Sequence, residues 1–85
     1  MPNDKADTAK VMREAIATRV RGAVAEARKT QREVGDAVGI PQSSVSLKMN
    51  GERAWRAEEL AALAGFLAVP IERLMPIVEP AASAS

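Results

Sequence analysis

Residues 30–53 read TQREVGDAVGIPQSSVSLKMNGER, and this stretch decides the fold. Thr30 and Glu33 have the spacing of a capping box. The threonine hydroxyl accepts from the amide three residues on, and the glutamate carboxylate accepts from the threonine amide. The helix begun there stops at Gly39, because glycine takes the left-handed conformation past a helix end without a Cβ penalty. Pro41 makes a new start at once, with its φ fixed and no amide to leave unsatisfied in a first turn. Asn50-Gly51 is another left-handed stop. The link is too short for two helices to lie antiparallel with ease, so the pattern is helix, tight glycine turn, helix.

Outward from this stretch, the chain reads as helices throughout. Residues 1–7 are expected to form a flexible arm. A first helix, capped by Asp7 or Thr8, runs to about Arg28 or Lys29. Its residues Met12, Ile16, Val20, Ala23, Val24 and Ala27 recur at spacings of four and three, one apolar stripe. The second helix, about Gln31 to Val38, buries Val34, Ala37 and Val38. Gly35 weakens its interior unless a small residue is needed for a close crossing. The third helix spans about Gln42 to Met49. Trp55 is placed to staple the start of a fourth, Ala57 to Leu67, with Leu60, Leu63, Ala64 and Leu67 as its stripe. A fifth is expected from about Pro70 to Met75, stopped by Pro76. The predicted class is all-α: one compact five-helix domain over residues 8–75, followed by a low-complexity tail at 76–85.

Composition removes several function classes. With 85 residues there is room for one modest core. There is no cysteine and no histidine, which excludes disulfides, the usual zinc sites, Ser-His-Asp triads and Cys-His pairs. No catalytic residue, metal, cofactor or small-molecule substrate is expected. The N-terminus has no signal-peptide pattern, and no stretch approaches the roughly 20 apolar residues that span a membrane, so a soluble cytoplasmic protein is expected. The net charge of +1 hides an asymmetry. Residues 10–56 hold ten basic and five acidic side chains, whereas residues 57–85 hold one basic and four acidic ones. The basic excess lies around the two short helices, where a phosphate-facing surface needs it.

The third helix is unusual as a surface. At about 100° per residue, Ser43, Ser46, Leu47 and Asn50 fall on one side, with Gln42 at its N-terminal edge. Val45 and Met49 fall opposite. An ordinary exposed face would carry Glu, Lys and Arg; this one carries amides, hydroxyls and one aliphatic group. Such side chains approach base edges closely: amides pair with adenine, hydroxyls with several partners, and an aliphatic group meets the thymine methyl. The plainer reading, that serines merely decorate a short helix, leaves the adjoining capping box, glycine turn and basic bias unconnected. Taken together they form a helix-turn-helix at about residues 30–50, a motif that reads double-stranded DNA.

TQREVGDAVGI, PQSSVSLKMNG and EELAALAGFLAVPIERLM together resemble the phage repressor and Cro-like helix-turn-helix family, also called the lambda-repressor-like or xenobiotic-response-element family. The resemblance covers roughly Thr8 to Met75, and NGER, an aromatic and EL resemble regulators of actinobacteria and their phages. It implies base contacts from Gln42, Ser43, Ser46 and Leu47. It implies phosphate contacts from Gln31, Arg32, Ser44, Lys48, Asn50 and Arg53, with Gln31 also bracing Gln42. Pro41 and Arg56 stand where the family usually has Ser or Thr caps, and Leu47 where it is often polar. Arg56 is then a further candidate for phosphate.

The expected function is a sequence-specific transcriptional regulator, a Cro-like or immunity repressor that occupies a palindromic operator. One small module gives limited affinity, so a homodimer is expected. Its surface is assigned to the fifth helix and Ile77-Val78, which stay apolar after the core is counted. The alternatives are an antitoxin whose main partner is a toxin protein, and a helical adaptor that binds no DNA. The short tail argues against the first, and the adaptor predicts no salt-dependent DNA binding.

Overall fold

The computed structural model describes residues 4–76, and among these there is no strand. Four α-helices follow in order: α1 (Asp4–Glu26), α2 (Gln31–Val38), α3 (Gln42–Met49) and α4 (Ala57–Leu67). The expected fifth helix is a single 3-10 turn, Ile71–Arg73. Pro70 fixes where it begins and Pro76 leaves no room for a second turn. Among the described residues the α-helices therefore number four, not five. The first helix also begins earlier than expected, at Asp4 rather than Asp7 or Thr8, and ends earlier, at Glu26. Residues 1–3 of the predicted arm and residues 77–85 of the predicted tail, with Ile77 and Val78, lie outside the described residues.

The core is assembled from one face of each helix. Val20, Ala23 and Val24 of α1, Val34 of α2, and Val45 and Met49 of α3 pack with Leu60, Leu63, Ala64 and Leu67 of α4. Leu74 and Trp55 complete it, and Leu74 has no exposed surface at all. The leucine following the 3-10 turn is thus a core residue, which removes it from the predicted pairing surface. Ile71 and Met75 pack against the same cluster and stay half-buried. Ala37 departs from the sequence reading, being exposed while Val34 and Val38 carry the inner edge of α2.

The turn between α2 and α3 follows the sequence closely. Thr30 Oγ1 accepts from the Glu33 amide at 3.0 Å, and Glu33 Oε1 accepts from the Thr30 amide at 2.8 Å. Gly39 has φ +84°, and the Gly35 carbonyl accepts from both Gly39 (2.7 Å) and Ile40 (3.0 Å). These two bonds close the helix end and aim the chain into α3. Gly35 has the packing role anticipated for it, because a Cβ there would lie 2.7 Å from the Ile40 carbonyl oxygen.

Two helix ends lacked a sequence signal. Arg28 and Ala68 have φ of 57° and 58°, the left-handed region, in residues that carry a Cβ. After α4, Val69 donates to Ala64 and Ala68 to Gly65, so the turn has glycine-type geometry without the glycine. Ala68→Gly is therefore expected to stabilise the fold by about 0.5–1 kcal/mol. A rise of a few degrees in the thermal midpoint checks it, and a fall contradicts the assigned backbone conformation.

Candidate nucleic-acid interface

The helix α3 presents the expected face. Val45 is fully buried and Met49 nearly so, while Gln42, Ser43 and Asn50 are exposed and Ser46 and Leu47 are half-exposed. Pro41 stands just before the helix at φ −63° and contributes no side-chain cap; its carbonyl accepts from Ser44 and Val45. At eight residues and 1.5 Å per residue, α3 is about 12 Å long, the width of a B-DNA major groove.

The residues assigned to phosphate divide into three groups. Arg32 and Arg53 are exposed, and Gln31 and Ser44 are half-buried at the starts of α2 and α3. Asn50 is exposed, and its amide lies 3.5 Å from a Glu52 carboxylate oxygen. Among the described residues no hydrogen bond joins Gln31 to Gln42, so the anticipated brace between them is not formed.

Lys48 is not free to meet phosphate. The resemblance implies a phosphate contact for it, yet it is 6% exposed. Its ammonium donates to both oxygens of Glu59 at 2.6 and 2.7 Å and lies 5.8 Å from the Trp55 ring centroid. The cause is angular. Lys48 sits about 140° from Ser43 on the helical wheel, closer to Val45 than to the outward row. An acid one turn into α4 then supplies the partner that a buried ammonium needs. Glu59 also accepts from the Arg56 backbone N–H at 2.8 Å, the bond that the third-position glutamate makes in a capping box, here with Arg56 rather than Ser or Thr as the N-cap. Burial pushes the Glu59 carboxyl up, but the Arg56 N–H and the Lys48 ammonium outweigh it and hold the group below its ordinary value.

Two other basic residues counted toward a phosphate-facing excess have structural partners. Arg13 Nε donates to the Gly51 carbonyl at 2.8 Å, and the Arg21 guanidinium donates to the Met49 carbonyl and to Thr18 Oγ1. Both reach from α1 to the C-terminal end of α3. Cations there satisfy terminal carbonyls and oppose the negative end of the dipole. Lys29 lies 5.2 Å from the Phe66 ring centroid. Exposed cations near the glycine turn and the 52–56 segment are then Arg32, Arg53 and Arg56. Arg56 faces Glu58 at 3.4 Å in a pair too exposed to hold it in place.

Glu59, Arg13 and Arg21 are not among the site residues expected from the sequence. The Arg56–Glu59 spacing, which puts an acid at the third position of α4, was the available signal for Glu59. Nothing local marks the two arginines, whose acceptors lie 38 and 28 residues away.

The sequence model of a helix-turn-helix family matches residues 24–74, from the end of α1 through the 3-10 turn. No curated protein matches the chain. Among the described residues no helix is long and apolar enough to cross a membrane.

Proposed function

The chain belongs to the Cro/C1-type helix-turn-helix family, a family of DNA-binding regulators rather than enzymes, and from that premise we propose that it is a sequence-specific transcriptional repressor. In this reading α3 lies in the major groove of double-stranded DNA. Gln42 and Ser43 meet base edges from its N-terminal end, and Ser46 and Leu47 meet them further along. Gln31, Arg32, Ser44, Asn50 and Arg53 hold phosphates and set the register. Bound to its operator, the protein blocks polymerase by occupancy.

The observation that carries the reading is the uncharged outward row of α3, set on a helix whose opposite face is sealed in the core. Basic side chains flank the row but do not enter it. Flanking cations attract any duplex, whereas hydroxyls, amides and a methyl-bearing group discriminate between sequences. The protein pairs as a homodimer on a palindromic site, using the half-buried Ile71 and Met75 with Ile77 and Val78. It acts in the bacterial cytoplasm, as a small Cro-like or immunity repressor of a phage.

Two substitutions test the division of labour. Gln42→Ala is expected to cost about 1–3 kcal/mol on the preferred duplex and to relax selection at one base position. Arg53→Ala is expected to weaken preferred and scrambled duplexes alike and to lower the salt slope by about one unit. Unchanged affinity of Gln42→Ala for the preferred duplex, with DNA binding retained, rules out the base-contacting assignment.

A further inference from the structure

Base selection needs α3 at a defined tilt and height relative to the phosphate-contacting segments. The apolar contacts of Val45 and Met49 do not supply this alone, since burial is non-directional. The directional contacts gather at the last turn of α3. From one side, Arg13 and Arg21 of α1 hold the Gly51 and Met49 carbonyls. From the other, Lys48 meets both oxygens of Glu59, and the same carboxylate takes the Arg56 backbone N–H. One buried carboxylate thus links the recognition helix to the beginning of α4, at the end of the segment that carries Arg53 and Arg56.

We propose that Lys48 and Glu59 are positioning residues for base selection, fixing the outward row of α3 relative to the 52–56 segment so that both engage the duplex in one register. The proposal rests on the DNA-binding reading above. Its physical basis is that a buried ion pair adds little stability over well-packed apolar groups of the same volume but imposes a direction that apolar groups do not. The pair's two side chains are 7% and 9% exposed, so neither contacts DNA itself. Removing both also leaves the net charge unchanged, so general attraction to phosphate is preserved.

The test compares wild type, Glu59→Gln and the double variant Lys48→Met/Glu59→Leu. The probes are a duplex selected from random DNA by the wild type and a scrambled duplex of the same length. The double variant is expected to melt cooperatively and to bind the scrambled duplex within about twofold of wild type, while its selected-to-scrambled ratio falls about tenfold or more. Glu59→Gln keeps the volume and an acceptor for the Arg56 N–H, and its ratio falls in the same direction by less. A merely structural role moves the melting temperature and leaves the ratio unchanged, so a wild-type ratio in the double variant overturns the proposal. Should that variant lack a cooperative transition, the ratio of Glu59→Gln decides on the same criterion. If the wild type itself fails to prefer any duplex, the DNA-binding reading is what fails.

Discussion

Gly35→Val is expected to lower the melting temperature by about 12–20 °C, the equivalent of about 3 kcal/mol in a domain of this size. A Cβ at Gly35 meets the Ile40 carbonyl oxygen at 2.7 Å and Val45 Cγ2 at 3.4 Å. The nearer atom is backbone, so no rotamer change relieves the contact. The Gly35 carbonyl also holds the Gly39 and Ile40 amides, which ties the affected backbone to the turn itself. Separating α2 from α3 is the remaining escape, and it opens the core at Val34 and Val45. Gly22 provides the control, because a Cβ there meets nothing within 4 Å and the residue is exposed near the C-terminal end of α1. Gly22→Ala is expected to raise stability by about 0.5–1 kcal/mol, the ordinary helix-propensity gain. Opposite signs at two helical glycines separate packing from propensity, and a stabilising change at Gly35 contradicts the close crossing.

Lys48→Met is expected to cost about 3 kcal/mol at neutral pH, because it leaves a buried carboxylate with one backbone N–H for company. The cost depends on pH, and its direction follows from Glu59. In the wild type that carboxyl titrates below its ordinary value of 4.5. A depressed carboxyl contributes its stability above the unfolded pKa and loses it as pH falls through the folded one. In the variant the ammonium is gone and desolvation remains, so the same carboxyl titrates higher. Protonation then relieves the variant while it removes the pair's contribution from the wild type. The difference in unfolding free energy is therefore expected to be largest near neutrality and to shrink toward about pH 4. Urea titrations at several pH values measure it. A difference that is constant with pH contradicts the buried pair.

Much of this was legible in the sequence because the relevant interactions are local. Thr30, Glu33 and Gly39 act within one or two helical turns, and spacing alone identifies them. Gly35 was recognisable as an anomaly, a helix-weakening residue in a short helix, although its contact at Ile40 was not. The outward row of α3 emerged because three-dimensional neighbours on a helix face are close in sequence.

What escaped depends on partners remote in the chain. Lys48 lies near the border of the inner face of α3, and sequence position does not say which way a long cation turns. Glu59, eleven residues on, decides it. Arg13 and Arg21 looked like contributors to a basic surface because their acceptors are backbone carbonyls, which every residue possesses. Arg28 and Ala68 break the expectation that left-handed helix ends carry glycine or asparagine. The fifth helix was overestimated because an apolar run bounded by prolines fits a short helix and a 3-10 turn equally well. Leu74 shows that part of the surplus set aside for a subunit contact was needed to close the core.

The outward row of α3 is proposed to select a DNA sequence. Selection of bound duplexes from a random pool at moderate salt tests this most directly. The expected result is one enriched motif, read at positions that relax in Gln42→Ala, occurring as two inverted half-sites about one helical turn apart. A pool that remains random after repeated rounds, while the folded protein shows no salt-dependent binding, would contradict it.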